Sequence, residues 1–199
     1  MIAAQRTTRL PIPGSEHIYR IPVDRYERMV SVGDLDEDDR IELLNGVLTR
    51  KMTKGTYHEA CSALCRREIE RLLPGGFFAR SEGPVRIPEY SEPEPDLSVA
   101  RGDVRDYLAR HPGPGDVVLA VEVADASLAL DRGLKRDLYA QAGIPTYWIV
   151  NLVERRVEVF AEPKDGAYAT TSVVGEGGAV ELVVDGVALG RVEVAAILP

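Results

Sequence analysis

The apolar positions of the chain are densest in two runs, and a helical pattern separates them. Residues 117–123 are apolar except for Glu122, and residues 146–150 are also mostly apolar. Near-continuous apolar runs are typical of strands that are buried on both faces of a sheet. Between the runs, residues 127–142 have apolar positions at helical spacing and end at Gly143. This order predicts a right-handed crossover and parallel pairing of the two strands.

Shorter elements come before and after this unit. Residues 41–50 predict a β-hairpin, because Asn45-Gly46 permits positive φ at both central turn positions. Thr56, with Glu59 three residues later, has the pattern of a helix N-cap. Residues 152–199 contain short alternating segments between Asp-Gly turns, which predict a mostly antiparallel tail that extends or covers the sheet.

Length and composition indicate one globular domain. The chain has 199 residues, 45% of them hydrophobic, and no apolar run near the roughly 20 residues that span a bilayer. The N-terminus lacks the apolar stretch of a secretory signal. Cys61 and Cys65 are four residues apart, which suits one apolar helix face and not a disulfide framework or a four-ligand zinc site. We therefore expect a cytoplasmic protein without membrane contact.

The net charge of -8 argues against tight, non-specific nucleic-acid binding, which requires clustered lysine and arginine. It does not exclude a nuclease, because carboxylates at a metal site contribute negative charge until the metal arrives. Several basic residues could still form a local patch, and the alternative is that they lie on solvated helix faces. These residues are Arg66, Arg67, Arg71, Arg132, Lys135 and Arg136.

Two carboxylates interrupt the apolar strands. Asp96 precedes the short predicted strand 97–100, and Glu122 lies inside the longest apolar run. A buried carboxylate is costly without a partner. Two of them near one cationic side chain, here Lys135, indicate a divalent-cation site of the kind that cleaves phosphodiesters.

The helix that follows Glu122 has a polar face. Asp131, Lys135 and Tyr139 share it at four-residue spacing, while a row of leucines forms another face that packs on the sheet. This arrangement predicts that Lys135 is not simply buried and that it reaches over the C-terminal end of the preceding strand.

These motifs together resemble the Uma-two (Uma2) family of restriction-endonuclease-like proteins, in the PD-(D/E)xK nuclease superfamily. The similarity runs from about residue 22 to residue 161, and its most specific part lies between Glu122 and Trp148. The matching residues are Glu42, Leu43, Asn45, Gly46, His58, Pro95, Asp96, Val121, Glu122, Val123, Lys135, Tyr139, Gly143, Tyr147, Trp148 and Asn151.

The resemblance implies an α/β fold with a restriction-endonuclease-like core. This core would have a central mixed β-sheet flanked by helices, and antiparallel β extensions would complete the fold. It also implies that Asp96 and Glu122 are metal ligands and that Lys135 is the catalytic lysine. We expect an N-terminal arm over residues 1–21 and a single domain over residues 22–199, with the C-terminal β extension at about 152–199.

Two positions depart from the pattern, and several roles stay open. The superfamily lysine usually lies two residues after the second acid, where this chain has Ala124, and the frequent aspartate after the Tyr-Trp strand is Asn151. Asp96 could merely begin a strand. Glu122 could form a buried salt bridge, and Lys135 could be a helix-face charge paired with the acid one turn earlier.

Two further residues are weaker candidates for the site. Glu42, in the hairpin, could complete the metal shell or be an exposed strand residue. His58, in the first turn of its helix, could be an accessory of the catalytic site near Glu42.

The leading hypothesis is a Mg²⁺- or Mn²⁺-dependent endonuclease that hydrolyses DNA. A homodimer would place two sites against the two antiparallel strands of a duplex. The alternative is a nuclease-like nucleic-acid-binding or assembly protein that has lost catalysis. The net negative charge and Ala124 favour the alternative, and the retained pair of acids opposes it.

Overall fold

The computed structural model describes residues 17–199 of the chain. Its strands are β1 (Ile41–Leu44), β2 (Val47–Arg50), β3 (Phe77–Ser81), β4 (Leu97–Arg101), β5 (Val117–Ala124), β6 (Thr146–Asn151), β7 (Arg156–Lys164), β8 (Ala167–Gly175), β9 (Ala179–Val184) and β10 (Val187–Glu193). Its helices are α1 (Val23–Ser31), α2 (Thr56–Glu70), α3 (Leu128–Leu130), α4 (Arg136–Ala142) and α5 (Val194–Ile197), with a π-helical turn over Asp131–Lys135 and 3-10 turns over Glu37–Asp39 and Val104–Tyr107.

Six strands form the central sheet, in the order β3-β4-β5-β6-β7-β8. β5 and β6 are parallel, as the crossover predicts, and the other neighbours in this sheet are antiparallel. β1–β2 and β9–β10 form separate antiparallel pairs. The α/β fold with a mixed central sheet, flanking helices and antiparallel extensions is therefore confirmed. The limits of the arm and of the domain stay predictions, since residues 1–16 lie outside the described residues.

β5 is the middle of the core, and all eight of its residues are buried. Val121 and Val123 belong to the apolar cluster that α2 and α5 cover. Ala120 and Ala124 belong to a second cluster, on the α4 side. Side chains alternate between the faces of a strand, so Glu122, which lies between the two alanines, faces the α4 side.

The polypeptide between β5 and β6 is helical from Leu128 to Ala142, so the helix predicted over residues 127–142 is confirmed. It is not one regular α-helix, because the π-helical turn Asp131–Lys135 separates α3 from α4. Gly143 ends the segment in a left-handed conformation with φ 78°, as predicted.

The β1–β2 hairpin turns at Asn45 and Gly46, both with positive φ, as predicted. Gly46 has a second constraint, because a Cβ built there would lie 2.5 Å from the Cβ of Arg20. The backbone N–H of Glu92 donates to the carbonyl of Leu43 at 2.7 Å and ties the hairpin to the segment before β4. This tie brings the β1 side chains to the end of the central sheet.

α2 begins differently from the sequence prediction. Its N-cap residue is Gly55 and no side chain caps the helix, so the prediction of a Thr56 cap is wrong. Cys61 and Cys65 are buried in the apolar cluster beneath this helix, as their spacing predicts. Within residues 17–199, no helix is long and apolar enough to cross a membrane.

Candidate active site

One polar pocket lies where β4 begins and β5 ends. The hairpin strand β1, the first turn of α2 and the π-helical turn complete its walls. Every sequence-predicted site residue lines it, and all five belong to different elements or connections. They are Glu42, His58, Asp96, Glu122 and Lys135. The structure therefore brings together side chains that are up to 93 positions apart in the chain, between Glu42 and Lys135.

Asp96 is held by donors from three directions. The Nζ atom of Lys54 lies 2.8 Å from its Oδ1, and Nε2 of His58 lies 3.1 Å from its Oδ2. The backbone N–H of Val123 also donates to Oδ2, at 2.8 Å. Both oxygens of this buried carboxylate therefore have partners. Lys54 has a second acid, because its Nζ also lies 3.1 Å from Glu82 Oε1.

These donors determine the ionisation of Asp96. Burial alone would raise the pKa of Asp96, but His58 and Lys54 outweigh it and lower the pKa to about 2. Burial lowers the pKa of Lys54, and Asp96 and Glu82 together raise it above its usual value. Asp96 is thus an ionised carboxylate with a full set of partners at neutral pH.

Lys135 is the centre of the opposite wall. Its Nζ lies 2.9 Å from Glu122 Oε1 and 3.2 Å from Glu42 Oε1. The Tyr139 hydroxyl donates to the same oxygen of Glu122, at 2.9 Å, and the backbone N–H of Glu94 donates to Glu42 Oε2, at 3.1 Å. The interpretation of Glu42 as an exposed strand residue is wrong, because only 2% of it is exposed.

The prediction that Lys135 is not simply buried is also wrong, since it is 6% exposed. Burial disfavours the charge on Lys135, but Glu122, Glu42 and Asp131 reverse that effect and raise its pKa above the ordinary lysine value. Burial, together with Asp131, Asp96 and Glu42, raises the pKa of Glu122 well above its usual range, although Lys135 opposes this. The lysine therefore holds its proton and acts as a cation.

Asp131 is a third acid next to Lys135. It is 1% exposed, and neither of its carboxylate oxygens accepts a hydrogen bond from any part of the chain between residues 17 and 199. The Ser127 hydroxyl interacts with the Asp131 carboxylate without meeting the geometry of a hydrogen bond. Burial is the main cause that raises the pKa of Asp131 to about 6, while Lys135 and Ser127 act in the opposite direction.

The pocket thus has two unlike sides. The Asp96 side consists of Asp96 with Lys54 and His58. The Lys135 side consists of Lys135 with three acids, which are Glu42, Glu122 and Asp131. The pocket as a whole is lined by six carboxylates, three lysines and one arginine, so acids outnumber cationic side chains there, which suits a divalent cation.

Although the charge of the pocket suits a cation, its side chains do not form a ready-made cluster of ligands for one. Among residues 17–199, no three His, Cys, Asp or Glu side chains lie close enough together to hold a metal ion. The chemistry of the donor set nevertheless fits Mg²⁺ or Mn²⁺, because these hard cations bind through one or two carboxylates and keep several waters. The orphaned carboxylate of Asp131 supports this fit.

Two residues of the site escaped the sequence interpretation. Lys54 lies in the connection between β2 and α2, where no periodicity or motif marks it. Asp131 was identified only as a helix-face partner of Lys135.

The predicted basic patch is largely neutralised by neighbouring acids. Arg66 pairs with Glu70 at 2.8 Å, and Arg71 pairs with Glu68 at 3.1 Å. Further pairs involve the other arginines, namely Arg67–Glu68, Arg132–Glu154, Arg132–Glu158 and Arg136–Asp137. The alternative interpretation of these arginines as solvated, ion-paired helix faces fits the structure better than a continuous patch.

Comparisons with known proteins find a matching family and a similar fold. The model of the Uma2 family, described as "Putative restriction endonuclease", matches residues 23–191. The crystal structure of a protein described as "a putative nuclease belonging to DUF820", from Anabaena variabilis ATCC 29413, is similar in fold, with a TM-score of 0.67 and 14% sequence identity. The match covers 89% of this chain and 97% of that one. A comparison with curated proteins finds no match.

Proposed function

The chain belongs to the Uma2 family, and from this premise we propose that it is a metal-dependent endonuclease that hydrolyses DNA phosphodiester bonds. The observation that supports the proposal most is the convergence of Asp96, Glu122 and Lys135 on one pocket at the end of the central sheet. Phosphodiester hydrolysis requires a nucleophilic water and stabilisation of negative charge on the phosphate. The pocket offers residues for both requirements.

Asp96 and Glu122 would hold Mg²⁺ or Mn²⁺. Such an ion lowers the pKa of a bound water and stabilises the charge that develops on the phosphate. Asp96 is suited to this role because it stays ionised well below neutral pH. Glu122 is suited because one of its oxygens, Oε1, already binds Lys135 and Tyr139, which fixes the orientation of the carboxylate.

Lys135 would act through its charge and not as a base. Its pKa lies above the ordinary lysine value, so the ammonium group keeps its proton at neutral pH. Its Nζ lies 2.9 Å from Glu122, at the position from which it can orient a water or stabilise a phosphate oxygen. Ala124, at the position where the superfamily usually has lysine, is buried in the core and offers no such group.

The weaker candidates would support these residues. His58 and Lys54 hold Asp96 in one orientation and supply positive charge beside it. Glu42 accepts from the Glu94 backbone N–H and lies 3.2 Å from the Nζ atom of Lys135. We infer a positioning role for all three residues, because each contacts Asp96 or Lys135.

Two observations favour the alternative, a nuclease-like nucleic-acid-binding or assembly protein without catalysis. Both oxygens of Asp96 already have partners, and residues 17–199 contain no preformed cluster of three metal-binding side chains. In this alternative the pocket is a buried ion-pair network that stabilises the fold. It predicts the same shape but no metal dependence.

A plasmid-nicking assay separates the two functions. Supercoiled, linear and single-stranded DNA are incubated with Mg²⁺, Mn²⁺ or EDTA, using wild type, Asp96→Ala, and Asp137→Asn as a control outside the pocket. The proposal predicts metal-dependent nicking by wild type and Asp137→Asn, and a loss of at least about 100-fold in Asp96→Ala. Products from wild type and Asp96→Ala that both equal those of a protein-free control would support the non-catalytic alternative.

The homodimer and the cytoplasmic location stay predictions from the sequence. Sedimentation equilibrium measures the first directly, and a mass of twice 21.8 kDa is the expected result. A monomer at all concentrations used in the nicking assay would contradict the dimer while leaving the proposed chemistry intact.

A further inference from the structure

Asp131 is a buried acid for which the contacts described above give no structural reason. It begins the π-helical turn, is 1% exposed, and lines the pocket with both carboxylate oxygens lacking a hydrogen-bond partner among residues 17–199. Buried polar atoms are almost always hydrogen-bonded, and an unpartnered carboxylate is especially costly. Its side chain therefore indicates a partner that protein atoms do not supply.

The position of Asp131 is well defined. Its backbone carbonyl accepts a hydrogen bond from the buried Tyr147 hydroxyl at 3.2 Å, and a second one from the backbone N–H of Arg136. The π-helical turn ends at Lys135, and both ends of the turn place buried side chains on the pocket. Such turns occur frequently at functional sites.

Lys135 does not satisfy Asp131 by itself. The lysine is already 2.9 Å from Glu122 and 3.2 Å from Glu42, so three acids share one cation. A divalent cation supplies the missing charge, and carboxylate oxygens are the ligands that Mg²⁺ and Mn²⁺ prefer.

We propose that Asp131 is itself a ligand for the divalent cation, so that the cation site extends from Glu122 toward the π-helical turn. The inference rests on the proposed function, because the cation is the one invoked there. It differs from the proposed function in adding Asp131 as a ligand. Asp131 offers two oxygens without hydrogen-bond partners, whereas each oxygen of Asp96 already has a donor.

The competing role is structural. In that role Asp131 stabilises the fold through its attraction to Lys135, and its replacement by asparagine lowers stability whether or not metal is present. A ligand behaves differently. Its replacement removes an unpartnered buried charge, so the metal-free protein becomes more stable while metal binding becomes weaker.

The experiment is a calorimetric titration of Mn²⁺ into wild type, Asp131→Asn and Asp137→Asn, with thermal unfolding of each protein in EDTA. Asp137 lies in the same helical segment, is paired with Arg136 and does not line the pocket, so its variant is a matched control. We expect Asp131→Asn to bind Mn²⁺ at least about tenfold more weakly and to unfold a few degrees higher in EDTA. The Asp137→Asn protein should match wild type in metal binding.

Other results overturn the inference in distinguishable ways. Wild-type affinity in Asp131→Asn refutes the ligand role and leaves the proposed endonuclease untouched. A wild type that binds no Mn²⁺ and nicks no DNA refutes both. Asp131→Ser is a second variant, with a smaller side chain that leaves room for water; if neither variant folds, Asp131 is a structural residue and the inference is wrong.

Discussion

The two sides of the pocket contain the same kind of group in opposite states. On the Asp96 side, one buried carboxylate is held by a lysine, a histidine and a backbone N–H, and its pKa is about 2. On the Lys135 side, three buried acids share one lysine. There the pKa of Asp131 is about 6, and that of Glu122 also lies well above its usual range.

The difference shows that the supply of positive charge, and not burial, decides ionisation here. Asp96, Glu122 and Asp131 are each at most 5% exposed, so desolvation acts on all of them. Of these three acids, only Asp96 has donors for both oxygens. The Asp96 side has partners for its charge within the protein, whereas the acids of the Lys135 side share a single lysine, which is the charge balance that the proposed metal binding requires.

The largest expected effect is the removal of Lys135. Lys135→Met leaves the buried acids of that side without a cation, so we expect the free energy of unfolding at pH 7.5 to fall by about 3–5 kcal/mol. Urea denaturation measures it, with Lys164→Met on the exposed end of β7 as the control. At pH 5 the loss should shrink because the acids take up protons; an equal loss at both pH values would contradict the account.

The second effect is a pH dependence that has opposite signs on the two sides. The pKa of Asp131 is raised in the folded state from 3.8 to about 6, so its contribution to stability is lost as the pH rises through this range. Relative to Asp131→Asn, wild type should lose about 3 kcal/mol of unfolding free energy between pH 3 and pH 7.5 in EDTA. A constant difference between the two proteins across that range would show that the acid is not strained by burial.

Asp96 provides the third test, because its pKa is lowered. Its stabilising contribution is present above pH 3.8 and is lost as the pH falls toward 2. Asp96→Asn should therefore destabilise the metal-free protein by about 2 kcal/mol at pH 7.5. Glu122→Gln should leave its stability unchanged or raise it, although both variants lose nicking activity. Equal destabilisation by the two variants in chemical denaturation would remove the contrast between the sides.

The smallest effect is expected at His58. His58→Gln keeps a donor near Asp96, which also retains Lys54 and the Val123 backbone N–H. We expect a loss of no more than about 1 kcal/mol in unfolding free energy. A larger loss, measured by the same urea titration, would mean that the Asp96 side depends on the imidazole and not on the lysine.

Much of the fold follows from the apolar pattern. The run around Glu122, the helical spacing after it and the strand at 146–150 correctly predict a parallel pair at the centre of the sheet. Asn45-Gly46 correctly predicts the hairpin, because few dipeptides tolerate two positive φ values. These features are local or periodic, so one sequence is sufficient to reveal them.

The site was harder to predict where it depends on tertiary contacts. Four-residue spacing placed Asp131, Lys135 and Tyr139 on one face, but the π-helical turn and the burial of that face depend on packing against β5 and β1. Lys54 carries no pattern at all, and its role appears only when the loop before α2 folds over Asp96. The Thr56 cap failed because the preceding glycine adopts the cap position instead.

The most direct test of the central claim is an anomalous difference map from crystals of the protein soaked in Mn²⁺. If the pocket binds a divalent cation as proposed, the map shows a peak within about 2.0–2.4 Å of carboxylate oxygens of Glu122 and of at least one of Asp96 and Asp131. Two results would contradict the proposal that the acids of the Lys135 side bind a divalent cation. One is a pocket without a peak, in crystals of protein that nicks DNA in solution, and the other is a peak found only outside the pocket.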